Sequence, residues 1–390
     1  MDKKLFKRKQ KESQPVLAIC YDFDKTLSPN DMQAQGYIQS VGYDEVDDFW
    51  QESNKLAEEN DMDQNLAWML CMKINSNGKV LFTRDKFREY GAKVRLFPGV
   101  EGWFDRIREY GKAHGVIVEH YIISSGLKEM IEGTKVADQF EKIYASSFYY
   151  DEHNVAVWPA QVINYTNKTQ FLFRIEKGVL DINDQGVNEY FTPDEMRVPF
   201  RNIVYIGDSD TDIPCMKLVN KSGGHSIGVF DPETKDKTKV HKMMRENRIR
   251  YYVPADYSAD SEIDCLVKAI IDRTQQNDVL EEMHYRYQNE AAAQDRCHDE
   301  AQREKTNLLI ALEGSGSFAT THKTIDSMRS FPLWDADERA QLYAIALENS
   351  QVHYVLGDPD VKEFYTQLLA QEKTLSAQAV QVQSALEKKV

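Results

Sequence analysis

An apolar run that ends in two aspartates is the sequence feature that most constrains how this chain can fold. Residues 16–21 read Val-Leu-Ala-Ile-Cys-Tyr without polar alternation, which is typical of a strand buried on both faces of a parallel sheet. Asp22 and Asp24 follow, and residues two apart in an extended segment point the same way. Two adjacent carboxylates repel each other unless a cation neutralises them or one is protonated. Because Mg²⁺ takes oxygen ligands and bridges to phosphate, the stretch indicates a metal-assisted phosphoryl site. A strand followed by an acidic helix cap explains the same residues.

Length and composition are those of a soluble globular protein with two or three domains. Of the 390 residues, 42% are apolar and 28% are charged, and the net charge is −15. Such an acidic chain is not expected to bind nucleic acid or an anionic membrane surface. The five cysteines are scattered and form no CxxC pair, and no apolar run is long enough to cross a membrane. These features predict reduced thiols and a cytoplasmic location.

Apolar strand patterns alternate with helical patterns as far as Arg273. Five more strands are predicted, at residues 116–124, 140–148, 202–206, 226–230 and 251–257. This alternation predicts an α/β fold, a Rossmann-like doubly wound parallel sheet. The ligand crevice of such a sheet lies beyond the carboxyl ends of its strands. Residues 31–95 have helical spacing and no strand pattern, so we expect a helical module inserted after the first strand.

Three further groups of polar residues follow predicted strands or open predicted helices. Ser124-Ser125-Gly126 connects a strand to a helix, where hydroxyls and free N–H groups can bind an anion or simply cap the helix. Gly207 to Asp212 again places carboxylates at a strand end. Lys168 opens a helix, where the dipole disfavours a cation. Its position is explained if its ammonium reaches a phosphate, or if it is merely exposed. Lys177, at the other end of that helix, is the competing lysine.

Both ends of the chain differ from the predicted α/β region. Residues 1–14 are basic and polar and predict a flexible tail. A closing helix is predicted at Glu262–Arg273, followed by a long polar helix at residues 275–313 and a flexible break at residues 314–317. Residues 274–390 are therefore interpreted as an α-helical extension of unknown role. That these helices form a homo-oligomer is a hypothesis.

Taken in order, these elements resemble the haloacid dehalogenase-like phosphohydrolases over about residues 14–273, and we take residues 15–273 as the core with its insert. The resemblance rests on Asp22-Phe23-Asp24-Lys25-Thr26, then Ser124, then Lys168, then Gly207-Asp208-Ser209-Asp210-Thr211-Asp212. The helical insert at about residues 31–95 resembles the cap of the phosphoserine-phosphatase-like branch. Its length differs from that of a plain phosphoserine phosphatase, so substrate-contacting residues cannot be assigned to it.

The resemblance implies a Mg²⁺-dependent phosphatase that acts on a small phosphorylated metabolite through an aspartyl-phosphate. Asp22 would be the nucleophile, and Asp24 the general acid and base. The implied Mg²⁺ ligands are Asp22, the Asp24 backbone carbonyl, Asp208 and Asp212. The implied phosphate-binding residues are Thr26, Ser124, Ser125, Gly126 and Lys168. The alternative is a non-catalytic phosphate sensor or scaffold, in which the pocket binds a ligand and the helical tail recruits a partner.

Overall fold

Seven strands form a single sheet in the computed structural model, which describes residues 13–191, 196–296, 300–372 and 374–388. The strands are β1 (Val16–Tyr21), β2 (Ile117–Leu127), β3 (Lys142–Tyr150), β4 (Ala156–Gln161), β5 (Ile203–Gly207), β6 (His225–Phe230) and β7 (Tyr251–Pro254). Their order across the sheet is β4-β3-β2-β1-β5-β6-β7. All neighbouring strands are parallel except β3 and β4. The prediction of a doubly wound parallel sheet is confirmed.

The strand order reverses direction between β1 and β5, which lie side by side at the centre of the sheet. A ligand crevice in an open α/β sheet forms at such a switch point, beyond the carboxyl ends of the strands. Asp22 follows β1 and Asp208 follows β5, so both carboxylates lie at this place.

Strand β4 was not predicted from the sequence. It pairs antiparallel with β3 and lies at the edge of the sheet. Pro159 interrupts its hydrogen-bonding pattern, and the side chain of Trp158 is 72% exposed. Proline is confined to edge positions in sheets, and an exposed edge strand has no buried face to produce apolar alternation.

Strand β1 is buried over its whole length, as its unbroken apolar pattern predicted. Leu17, Ile19 and Tyr21 belong to one core cluster, and the alternate residues belong to a second cluster. The two clusters lie on opposite faces of the sheet. Burying each large aliphatic side chain contributes about 1.5–3 kcal/mol, so β1 is anchored from both sides and holds Asp22 in a fixed position.

Sixteen α-helices complete the part of the chain that the structure describes. Four belong to the insert: α1 (Tyr37–Ser40), α2 (Val46–Glu59), α3 (Gln64–Asn75) and α4 (Arg84–Gly91). Six accompany the sheet: α5 (Val100–Ala113), α6 (Lys128–Gly133), α7 (Thr169–Lys177), α8 (Ile213–Lys221), α9 (Thr238–Arg245) and α10 (Glu262–Arg296). Six follow: α11 (Glu300–Glu313), α12 (Phe318–Met328), α13 (Ala336–Glu348), α14 (Ser350–Val355), α15 (Pro359–Ala370) and α16 (Ala377–Lys388).

The insert at residues 31–95, which we call the cap, leaves and rejoins the core at adjacent points. The backbone N–H of Phe97 donates to the carbonyl of Leu27 at 2.9 Å. The side chain of Gln35 bonds both linkers, since it donates to Ser28 Oγ at 2.7 Å and accepts from the N–H of Arg95 at 2.8 Å. The two linkers are therefore tied to each other as well as to the core.

The chain after the last strand differs from the prediction in two places. Helix α10 continues to Arg296, whereas the sequence predicted an end at Arg273 and a separate helix over residues 275–313. No proline or glycine interrupts this stretch, so nothing in the backbone ends the helix at the point where its composition becomes polar. In the turn at residues 314–317, predicted to be flexible, Ser315 is fully buried.

Residues 300–388 have a hydrophobic core of their own, which draws its buried members from Leu309 to Leu386. The domain boundary at residues 273 and 274 stays a prediction, and α10 runs across it. The predicted basic tail, residues 1–14, lies outside the described residues as far as residue 12. None of the described helices is long and apolar enough to cross a membrane.

Candidate active site

Asp22 and Asp24 lie on a tight turn directly after β1. The backbone N–H of Asp22 donates to the carbonyl of Ile206 at 2.9 Å, which extends the pairing of β1 with β5 by one residue. Lys25 has a φ of 57° and reverses the chain. Asp24 Oδ1 accepts a hydrogen bond of 2.8 Å from the backbone N–H of Met32, at the start of the cap. The turn thus fixes one carboxylate in the core and links the other to the cap.

Asp208 and Asp212 lie on the turn after β5. Asp212 is fully buried, and its Oδ1 accepts from Tyr205 Oη at 2.8 Å while its Oδ2 accepts from both the N–H and the Oγ of Ser209 at 3.1 and 2.9 Å. Asp208 is 8% exposed, and Lys239, which is half exposed, reaches its Oδ2 at 3.4 Å. Asp212 is therefore rigidly held, whereas Asp208 keeps more freedom to bind a ligand.

Lys168 lies at the start of α7 and joins the two acidic turns. Its ammonium is 3.1 Å from Asp22 Oδ1 and 2.7 Å from Asp212 Oδ1, and the side chain is fully buried. Lys177 donates instead to the backbone carbonyls of Val187 and Glu189. The structure brings Lys168, and not Lys177, to the carboxylates.

Negative charge exceeds positive charge in this cluster. Oxygens of Asp22, Asp208 and Asp212 lie within 4.8 Å of one another. Burial raises the pKa of Asp22 to about 6, although the Lys168 ammonium acts against this shift. Burial likewise raises the pKa of Asp208 to about 7. These shifts express the cost of placing several carboxylates in a dry site beside one buried ammonium. A divalent cation that prefers oxygen ligands fits this donor set.

The predicted anion-binding hydroxyls lie around the same cluster. Ser124 Oγ accepts from the N–H of Gly126 at 3.0 Å, so it holds the β2 turn and does not cap α6. The hydroxyls of Thr26 and Ser125 are buried and have no hydrogen-bond partner among the described residues. Unpaired buried hydroxyls are costly, and a bound anion would satisfy them.

Gly126 makes room for the Asp24 carboxylate. A Cβ at this position would lie 2.9 Å from Asp24 Oδ2 and 2.6 Å from Met32 Cε. The close approach explains why a glycine follows the two serines. It also places the end of β2 beside the first turn of the cap.

A cavity of about 220 Å³, which we call the cap chamber, lies between Asp24 and the cap. The core and the first turn of the cap contribute Asp24, Asp31, Gln33, Ser125 and Gly126 to its lining. Helices α2 and α3 contribute Trp50, Ser53, Asn54, Gln64, Asn65 and Trp68. Sequence reasoning assigned none of these cap residues. Neutral amides and single indoles on amphipathic helices carry no signal that separates a pocket from a surface.

With this geometry established, comparison with known proteins identifies the class. Residues 19–217 match the model of the haloacid dehalogenase-like hydrolase family, and the chain belongs to this family. The resemblance seen in the sequence is confirmed.

Individual relatives are more distant. An uncharacterized protein from Borreliella burgdorferi is 27% identical over 283 residues, which cover 65% of this chain and 95% of that protein. Among solved structures, a HAD-family hydrolase from Salmonella enterica serovar Typhi is similar, with 17% identity, a TM-score of 0.44, and coverage of 67% of this chain and 73% of that one. A probable phosphoserine phosphatase from Vibrio cholerae has 12% identity, a TM-score of 0.43, and coverage of 70% and 69%.

Proposed function

We propose that this chain is a Mg²⁺-dependent phosphatase that hydrolyses a small phosphomonoester through an aspartyl-phosphate on Asp22. The observation that carries the proposal is the position of Lys168, whose buried ammonium lies 3.1 Å from Asp22 and 2.7 Å from Asp212. A buried lysine between carboxylates at the end of a parallel strand suits a site that must neutralise phosphoryl oxygens.

The first half-reaction transfers the phosphoryl group to the protein. A carboxylate oxygen of Asp22 attacks phosphorus, and the bond from phosphorus to the ester oxygen breaks. The leaving oxygen takes a proton from Asp24, whose pKa burial raises well above its usual range. A general acid needs such a pKa in order to hold its proton near neutral pH.

The second half-reaction restores the starting state. The Asp24 carboxylate takes a proton from water as the water oxygen attacks phosphorus, and the bond between phosphorus and Asp22 breaks. Inorganic phosphate leaves, Asp22 is again a carboxylate, and Asp24 is again protonated. Thr26, Ser124, Ser125, Gly126 and Lys168 are proposed to donate hydrogen bonds to the phosphoryl oxygens during both steps.

The proposed Mg²⁺ ligands are Asp22, Asp208 and the backbone carbonyl of Asp24. Bound there, the ion would supply positive charge to the phosphoryl oxygens. Asp212 already accepts four hydrogen bonds, from Lys168, Tyr205 and two groups of Ser209. We therefore propose that it supports the ion through water and positions Lys168.

Hydrolysis of p-nitrophenyl phosphate with Mg²⁺ or with EDTA tests the function. Asp22→Asn removes the proposed nucleophile and should lower the rate by about 10³-fold or more, and EDTA should abolish turnover. Asp210→Asn is the matched control, because Asp210 is exposed on the β5 turn and its loss should leave the rate within about twofold. Mg²⁺-independent turnover, or full activity of Asp22→Asn, would reject the mechanism. Tight binding of phosphate analogues without turnover would favour the sensor alternative.

Two further expectations from the sequence stay predictions, namely the cytoplasmic location and the association of two copies through the C-terminal helices. Light scattering on the full chain and on a chain ending at Arg296 tests the second. A monomer in both cases would reject it.

A further inference from the structure

Six of the eleven residues that line the cap chamber have uncharged polar side chains, and none of the eleven is basic. Resting on the phosphatase function proposed above, we propose that it selects phosphomonoesters whose organic part is a neutral, hydroxylated group, such as a polyol or sugar. A substrate carboxylate would be rejected. The products of the reaction would be the free polyol and inorganic phosphate.

The charged side chains in the lining of the chamber are all acidic. The ionisable residues among those that line the chamber are Asp24 and Asp31, and no lysine, arginine or histidine of the described chain lines it. The nearest buried cation, Lys168, is already bound to Asp22 and Asp212. A substrate carboxylate in the chamber would lie beside two acids and would meet no positively charged side chain in the lining, which is unfavourable.

The lining of the chamber also contains buried polar groups that no other described residue bonds. Gln33 and Ser53 are each 98% buried, with 2% exposure, and both line the chamber. The indole N–H of Trp50 and the hydroxyl of Ser125, which also line the chamber, are buried and have no hydrogen-bond partner among the described residues. Amides and hydroxyls both donate and accept, as substrate hydroxyl groups do. Buried polar groups of this kind are normally satisfied, so they mark where the organic part of a substrate would bind.

Asn65 is held in place by hydrogen bonds of its own side chain. Its amide donates to the carbonyl of Ile163 at 2.5 Å and accepts from the indole N–H of Trp68 at 3.1 Å. The ring of Trp68 is thereby fixed as one wall. Indole walls with a few convergent polar groups are typical of pockets for small neutral ligands.

Asp31 is the chamber residue that could attract a substrate ammonium. Its carboxylate is already paired with Lys25, since Oδ2 lies 3.0 Å from the lysine ammonium. A positively charged substrate would have to displace this lysine. A neutral substrate leaves the pair intact, which favours the hydroxylated class over amino-alcohol phosphates.

Two three-carbon substrates provide a matched test on the full-length protein with Mg²⁺. Glycerol 3-phosphate and 3-phosphoglycerate differ in one terminal group, a hydroxymethyl or a carboxylate. We expect kcat/KM to be higher for glycerol 3-phosphate by about tenfold or more, because only the carboxylate meets an uncompensated site. Phosphoethanolamine should be hydrolysed more slowly than glycerol 3-phosphate.

Substitution of Gln33 tests whether the chamber is the cause. Gln33→Leu should raise KM for glycerol 3-phosphate with little change in kcat, which separates lost substrate binding from damaged chemistry. Gln33→Lys adds the missing cation and should shift the ratio of kcat/KM toward 3-phosphoglycerate by about tenfold. Gln51→Leu is the control, because Gln51 is exposed on the same helix as Trp50 and should leave both substrates unaffected.

The outcomes separate this proposal from the function on which it rests. Equal or faster hydrolysis of 3-phosphoglycerate or of phosphoethanolamine would overturn the substrate class and leave the phosphatase function standing. Unchanged kinetics in a folded Gln33→Leu protein would also overturn it. No turnover of any of these compounds or of p-nitrophenyl phosphate would overturn both. The ratio for the unmodified protein decides the question even where a Gln33 variant does not fold.

Discussion

Lys168 determines the charge balance of the candidate site. Burial opposes its charged form, but Asp212 and Asp22 outweigh this effect, and the pKa of Lys168 is raised. The lysine thus stays protonated and permanently neutralises one of the three carboxylates. Its unusual position at a helix start was visible in the sequence, and the structure gives the electrostatic reason for it.

Replacing this lysine should damage both stability and catalysis. Lys168→Met leaves two buried carboxylates without their cation, which should lower the free energy of unfolding by about 3–5 kcal/mol and kcat by about 10²-fold or more. Thermal unfolding and kcat at saturating p-nitrophenyl phosphate measure the two effects. Lys177→Met is the control and should leave kcat unchanged, since Lys177 donates to the backbone carbonyls of Val187 and Glu189 and lies over the ring of Phe191, with no contact to the carboxylates of the site among the described residues. Equal loss of kcat in both variants would contradict the assignment of Lys168.

A second residue, Glu176, makes stability depend on pH. Burial raises the pKa of Glu176 to about 7, although Lys177 acts against the shift. A carboxyl whose folded pKa lies above its unfolded value favours the folded state only while it is protonated, so stability is lost as pH rises from about 4.5 to about 7. Glu176→Gln removes this loss. Its melting temperature relative to that of the unmodified protein should rise between pH 5 and pH 8, and a difference that does not vary with pH would contradict the argument.

At the scale of elements, the linkers of the cap rest on the loop after β7. Tyr257 donates its hydroxyl to the carbonyl of Thr26 at 2.9 Å and its backbone N–H to the carbonyl of Pro98 at 2.8 Å. Gly99 follows with a φ of +78°, and a Cβ there would lie 2.2 Å from the backbone nitrogen of Ser258. One loop of the core therefore holds both the departing and the returning chain.

Gly99→Ala tests this contact against a matched glycine. Gly115 has a similar φ of +73° but nothing within 4 Å of an added Cβ, so Gly115→Ala should cost only the backbone strain of about 1–2 kcal/mol. Gly99→Ala adds a collision between two backbone segments and should destabilise the protein by at least about 2 kcal/mol more. Chemical denaturation measures both variants. Equal destabilisation would mean that the loop yields easily and does not hold the cap.

The success of sequence reasoning also varied from element to element. The central strands were predictable because burial on both faces leaves only apolar residues, as in Val16–Tyr21. Strand β4 was not, because Pro159 and the exposed Trp158 resemble a loop. Helix α12 was missed because its apolar residues are too few to form a stripe, and packing in the C-terminal core stabilises it instead. The carboxylates and Lys168 stood out because each is costly where it lies, whereas the neutral residues of the cap chamber carry no such cost.

At the scale of the whole molecule, the described chain contains three hydrophobic clusters, two on opposite faces of the sheet and one among the C-terminal helices. Helix α10 contributes Ile263, Val267, Ile270 and Ile271 to the cluster on one face of the sheet. The buried residues between Leu309 and Leu386 pack against one another in a different cluster. The first half of α10 thus packs with the sheet that carries the candidate site, whereas the buried residues from Leu309 onward belong to a separate cluster.

Truncation should reveal this division. A chain ending at Arg296 keeps all of α10 and should retain kcat within about twofold, because no residue of the candidate site lies beyond that point and substitutions outside such features rarely matter. A chain ending at Ser261 loses four buried aliphatic side chains, each worth about 1.5–3 kcal/mol, and should not fold. Circular dichroism and phosphatase assays measure both. Loss of activity in the longer chain would place the C-terminal helices in the function of the site.

The paired cap linkers have a consequence for how such a protein can diversify. Because Leu27 and Phe97 are joined by a backbone hydrogen bond, the distance between the two ends of the insert is set by the core and not by the sequence within it. Lengthening a chain segment between fixed ends costs only about 0.6 kcal/mol for each doubling. Insertions, deletions and even exchange of the whole segment can therefore occur without displacing Asp22 or Lys168. Selection can then redesign what the protein recognises while the reaction it performs is inherited unchanged.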